Sequence, residues 1–184
     1  LGSLAQNAMQ RKKDEDGLVV LDGATVSLSG TGTTLVSGVI AAAYARIMGN
    51  VTEPGNLPVR CVLHPFQIKD VFDEITAPVG THPIADGLTA RVFTEGFSGM
   101  ISGVQIYPDG NITVDATPDA KGGVFSADAL VLVEGSAPRV EPKRMPEYAG
   151  GSEAVYMYDD YAYGERSAGN WLYEVFSDAT NPNS

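Results

Sequence analysis

The run Val59-Arg60-Cys61-Val62-Leu63-His64-Pro65 constrains the fold more than any other part of the chain. Val59 to Leu63 is rich in β-branched and aliphatic side chains and reads as a buried strand. Pro65 follows at once. Proline suits the first position of a helix, because the N–H it lacks would be unpaired there anyway. Phe66, Ile68, Val71, Phe72 and Ile75 then recur at helical spacing. A strand that passes directly into a helix requires mixed layers, and the fold class expected is α+β. The other apolar runs are equally short. The longest, Val39 to Ala45, falls far below the ~18 residues of a membrane span. At 43% hydrophobic and 19% charged, the composition is that of an ordered globule. The opening residues show no basic stretch leading into an apolar one, so no secretory signal is expected.

Further elements follow from spacing. Leu4, Ala5, Ala8 and Met9 mark a helix over Leu4 to Lys13, with Gly17 as its stop and Leu18 to Leu21 as a separate apolar segment. Ser29-Gly30-Thr31-Gly32-Thr33-Thr34 leads into a second helix, with Thr33 or Thr34 as cap and Gly49-Asn50 as end. Thr76 to Gly99 is irregular, with a short strand expected over Ala90 to Thr94. Ile101 to Tyr107 reads as one strand, and Asp109-Gly110-Asn111 as a turn returning through Ile112 to Val114. Lys121-Gly122-Gly123 reads as a turn. Ser126 reads as the cap of a brief helix, and Leu130 to Val133 as buried. Pro138 to Arg144, Val155 to Tyr163 and Trp171 to Ser177 read as extended.

The candidate chemistry is thin. The glycine-rich loop lacks the lysine of a Walker A motif and the third glycine of a dinucleotide fingerprint, so it reads as a capped surface loop. His64 and His82 have no partner at metal-binding spacing, and His64 beside Pro65 reads as a capping or packing residue. Asp109, Asp115 and Asp119 miss the calcium-loop pattern, since the twelfth position holds Ala120. Asp159 and Asp160 are adjacent on a strand and point to opposite faces, which denies them a shared acid–base role. The lone Cys61 cannot form an internal disulfide and reads as a buried thiol. A net charge of −11, from 23 acidic and 12 basic residues, opposes binding to a phosphate backbone or to anionic lipid. Tyr156, Tyr158, Tyr161, Tyr163, Trp171 and Tyr173 are interleaved with carboxylates. Such aromatics suit protein–protein contact better than base stacking.

Taken in order, several segments resemble the major capsid proteins of tailed bacteriophages, the Hong Kong 97-type fold. They are Gln6-Asn7-Ala8, Asp14 to Leu18, Ser29 to Thr34, Val62 to Gln67, Gly122 to Leu130 and Tyr158 to Gly164. The resemblance implies the end of a spine helix and the start of the core over 1–23, and an axial domain over 24–115. Over 116–184 it implies peripheral-domain strands and a C-terminal segment. Nothing here matches the family's N-terminal arm and extended loop. The implied role is a structural subunit of an icosahedral shell, with no enzyme activity, cofactor or metal. Its partners would be neighbouring copies in capsomers, then portal, scaffold or decoration proteins. Packaged DNA would touch it only loosely, and no membrane is involved. Its place would be the virion, after assembly in the host cytoplasm. The assembly-interface residues implied are Thr76, Pro78, Val79, His82, Pro83 and Phe97 in the irregular loop, with Asp159, Asp160, Tyr161 and Arg166 near the aromatic strand. An encapsulin-like compartment protein is the alternative within the fold. A small hydrolase using either histidine and a carbohydrate-binding module using coplanar tyrosines are the readings from other classes.

Overall fold

A computed structural model describes residues 2–76, 100–146 and 151–182. The strand–helix junction is as expected: β2 (Val59–Leu63) runs through His64 into α3 (Pro65–Thr76). Its helix start is a reciprocal cap. The Phe66 N–H donates to His64 Nδ1 at 3.2 Å, and Gln67 Oε1 reaches back to accept from the His64 N–H at 3.0 Å. The fully buried Gln67 amide also donates to the Ala120 carbonyl and to Ser177 Oγ, so one side chain ties α3 to two strands.

Those strands belong to a six-stranded sheet. Its members are β1 (Ser27–Ser29), β2, β3 (Met100–Ile101), β4 (Val104–Pro108), β5 (Asp119–Phe125) and β8 (Leu172–Asp178), in the order β1-β8-β5-β2-β4-β3. The β1/β8 and β2/β4 pairs are parallel; the rest are antiparallel. Strands on both sides of the 115/116 division therefore share one sheet. On one face, Val59, Cys61 and Leu63 of β2 pack with Val104, Val124 and Val175 against Ile40, Ala43 and Ile47 of α2 (Ser37–Met48) and Val71 of α3. Burial pushes the Cys61 thiol far above its ordinary pKa, which leaves it inert. On the other face lies the C-terminal turn of α1 (Gly2–Asp22), with Leu21 against Trp171 and Leu172 and Leu18 against Val62.

The remaining strands, β6 (Leu130–Met145) and β7 (Ser152–Glu165), form a separate two-stranded antiparallel ribbon. At 16 residues β6 is roughly 50 Å long if straight. The ribbon lies along α1, not on the sheet.

Several local expectations are corrected. Gly17 does not end α1, which continues through Leu18–Leu21 to Asp22. A Cβ placed there would meet the Tyr163 ring at 3.6 Å, an ordinary contact. Val36, not a threonine, stands at the start of α2 and makes no side-chain cap. Ile101 to Tyr107 is two strands joined at Ser102 and Gly103, which take φ 50° and 87°. Ile112 to Val114 is no return strand; β4 pairs with β2 and β3 instead. Gly122 and Gly123 lie inside β5, where glycine serves close approach rather than a turn. A Cβ at Gly122 would collide with the Val62 carbonyl. Ser126 to Ala129 is a single turn. Val131, Leu132 and Val133 are exposed on the ribbon, not buried. The expected strand over Ala90 to Thr94 lies outside the described residues.

Candidate assembly surface

The glycine-rich loop is filled from within. Buried Asp119 accepts from the Gly32 N–H at 2.8 Å and from the Thr31 hydroxyl. These donors hold its carboxyl below the usual range. The N–H group a phosphate would use is therefore taken by the chain's own carboxylate. His64 spends its Nδ1 on the cap of α3, and burial lowers its pKa. Among the described residues no set of three or more His, Cys, Asp or Glu is placed to hold a metal ion.

The surface of interest is built by α1 and the ribbon. Side chains alternate along β7, so Met157, Asp159, Tyr161 and Tyr163 turn toward α1 while Tyr156, Tyr158 and Asp160 turn away. The helix meets the inward set with residues spaced three or four apart, so that they share one face. Lys13 Nζ lies 2.7 Å from Asp159 Oδ2 and 2.8 Å from Glu134 Oε1, and sits over the Tyr161 ring. Its pKa rises well above the ordinary 10.5, mainly through Asp159 and then Glu134. Tyr161 Oη donates to Asp16 at 2.7 Å, which pushes the phenol up to about 12. An ionic and aromatic seam, rather than an aliphatic core, thus joins ribbon to helix.

The outward face carries apolar surface with no cover among the described residues. Val131 and Val133 stand opposite Gly164 and Ala162, which cannot shield them, and Val133 is 60% exposed. Farther along, the Tyr156 and Tyr158 rings lie near-parallel at 6.5 Å, and Arg139 rests over Tyr158. An isolated two-stranded ribbon is marginal in water, and one with an apolar outer face invites a partner.

The expected interface residues fall in three groups. Pro78, Val79, His82, Pro83 and Phe97 lie outside the described residues, and Thr76 ends α3 with its side chain outside them. Asp159 and Tyr161 face α1 and serve the internal seam. Asp160 is outward and packs beside Gly135, while Arg166 stacks over Trp171 at 5.4 Å. Sequence reasoning missed Lys13, Val131 and Val133; it placed Tyr156 and Tyr158 among the aromatics suited to protein contact but did not separate them from the inward tyrosines. The period-two parity of β7 was the available signal for the tyrosines.

No protein-family model matches the chain, and no curated protein matches it in sequence. Solved structures do. A structure of Mycobacterium phage Che8 superposes with a TM-score of 0.70 at 15% identity, over 95% of this chain and 61% of that one. The capsid of cyanophage P-SCSP1u gives 0.64 at 12%, over 97% and 65%. The head of Helicobacter pylori bacteriophage KHP40 gives 0.63 at 11%, over 95% and 67%. The chain has the fold of a phage capsid protein. It spans under two thirds of the length of the first two neighbours. Within the capsid fold, the six-stranded sheet and the α1–ribbon unit are two differently built parts of one chain.

Proposed function

We propose that the chain is a structural subunit of a tailed-phage icosahedral capsid, a major capsid protein that forms capsomers with copies of itself. The observation that carries this reading is the likeness to phage capsid and head structures across at least 95% of the chain. The unpaired outer face of the ribbon agrees with it, because a shell subunit needs surface that only neighbours cover.

In this reading the sheet with α2 and α3 is the axial part, and α1 with the ribbon is the peripheral part. The protein resides in the virion and performs no catalysis. Portal, scaffold and decoration proteins are its further partners. With a net charge of −11, the subunit repels packaged DNA and lets it slide, since like charge denies the backbone any counterion-release gain.

Electron microscopy of the expressed full-length gene product tests the proposal. Closed shells of uniform diameter are expected. A product that stays dispersed across salt and concentration would overturn it.

A further inference from the structure

A groove of ≈ 460 Å³ runs between the N-terminal half of α1 and the distal half of the ribbon. Met9, Pro138, Val140 and Met157 give it apolar walls, and Lys13 and Asp159 lie among its lining residues. The Asp159 side chain is only 3% exposed. Both of its oxygens are buried without a hydrogen-bond partner, and Oδ2 has only the ion-pair approach of Lys13 Nζ at 2.7 Å. A buried carboxylate oxygen left unpaired is uncommon and calls for a donor. Lys13 does not neutralise the site, because it is shared with Glu134. Two carboxylates against one ammonium leave a net negative charge. Apolar walls beside an unsatisfied anion fit a cation carried on an aliphatic stem.

We infer that this groove receives a lysine side chain from a second copy of the chain, and that the lysine is Lys143. Among the lysines, whose compact ammonium suits a narrow buried site, the ion pairs single it out. Lys12 is paired with Asp16, Lys13 with Asp159 and Glu134, Lys69 with Asp73, and Lys121 with Asp22. Lys143 alone among the lysines has no carboxylate partner among the described residues. It is exposed on the outward side of β6, opposite Ala154. A Lys143 of one copy seated beside Asp159 of the next is a heterologous contact, which propagates into a ring or an open chain. The assignment of a second copy rests on the capsid reading; the cation preference of the groove does not.

Two measurements test it. In the first, n-butylammonium is titrated into the dispersed chain while the Met9 and Met157 methyl signals are followed by NMR. A saturable shift is expected, with n-butanol producing none and Asp159→Asn weakening the response at least about tenfold, the loss of one charge-assisted contact. Equal responses to amine and alcohol, or none to either, would overturn the cation site. In the second, Met9→Cys and Lys143→Cys are combined and oxidised under assembly conditions, with Cys61 too buried to interfere. A disulfide ladder extending beyond dimers is expected, while each single variant stops at the dimer. Shells without that ladder would overturn the Lys143 contact and leave the capsid reading standing. Absence of shells from the parent chain as well would overturn both, and a saturable amine response would then stand alone.

Discussion

The six-stranded sheet and the β6–β7 ribbon are both antiparallel at most of their pairings, yet they are stabilised in opposite ways. The sheet is covered on both faces, by α2 and α3 on one side and the end of α1 on the other. Its buried amide, Gln67, is satisfied inside and acts as a hub between α3 and two strands. The ribbon has one face half covered, through ion pairs and tyrosines, and another left exposed among the described residues. A fold of the first kind closes on itself. One of the second kind leaves apolar surface open to a partner, as the proposed shell role requires.

The largest effect expected is in the sheet. Gly122→Val places a side chain against the Val62 carbonyl and Leu63, with no open space on either side. Overpacking against backbone of this kind costs about 3 kcal/mol, and urea unfolding measures it. Gly164→Val on the ribbon, where nothing lies within 4 Å of an added Cβ, is expected to shift the same midpoint little. Equal losses at the two glycines would erase the distinction between the regions.

Next in size is Gln67→Leu. The substitution keeps the volume but removes the partners of the His64 N–H and the Ala120 carbonyl. Leaving buried groups unpaired costs about 2 kcal/mol. In the ribbon the matching change is Lys13→Met, which leaves Asp159 without its ion pair. Hydrogen exchange is expected to rise across 152–165 and stay unchanged in β5, because α1 is held to the sheet by Leu18 and Leu21 instead. Loss of protection in β5 as well would show that the two regions unfold as one.

What could be read from residues follows the same divide. The β2–His64–Pro65–α3 junction was legible because proline, β-branched residues and helical spacing each act locally. Gly122-Gly123 misled, since glycine marks both turns and close backbone approach, and only the neighbouring strand decides which. Leu130 to Val133 misled for a related reason. Four apolar residues in a row signal burial, and here the cover is absent from the single chain. The inward role of Asp159 and Tyr161 was half legible: alternation separates them from Asp160, but nothing local reveals that Lys13 and Asp16 wait on a helix more than a hundred positions earlier.

A smaller effect is expected from pH. Burial holds His64 below its ordinary 6.5, with Asp109 acting in the opposite direction. The folded chain therefore favours the neutral ring, and the unfolded chain takes up the proton first. This contribution is fully present above about 6.5 and is lost as pH falls through the folded value. His64→Asn keeps an acceptor for the Phe66 N–H but removes the titration. Stability measured from pH 7.5 to 5.5 is expected to slope downward in the parent chain and less so in the variant. Equal slopes would place the titration elsewhere.

The smallest effect on the isolated chain, and the most informative for the comparison, belongs to the outward face. Tyr158→Ser removes a ring that is 44% exposed, stacked near Tyr156 and lying under Arg139. Val133→Thr trims an apolar surface facing Ala162. Both are surface changes, so the dispersed chain is expected to unfold within about 0.5 kcal/mol of the parent. Assembly is another matter. If neighbours cover this face, each substitution exchanges buried apolar surface for an unpaired hydroxyl in the contact, and particle yield by sedimentation falls while folding is intact. A variant that assembles like the parent would mean the outer face stays wet in the shell, and the ribbon would then have to be completed through its inward groove alone.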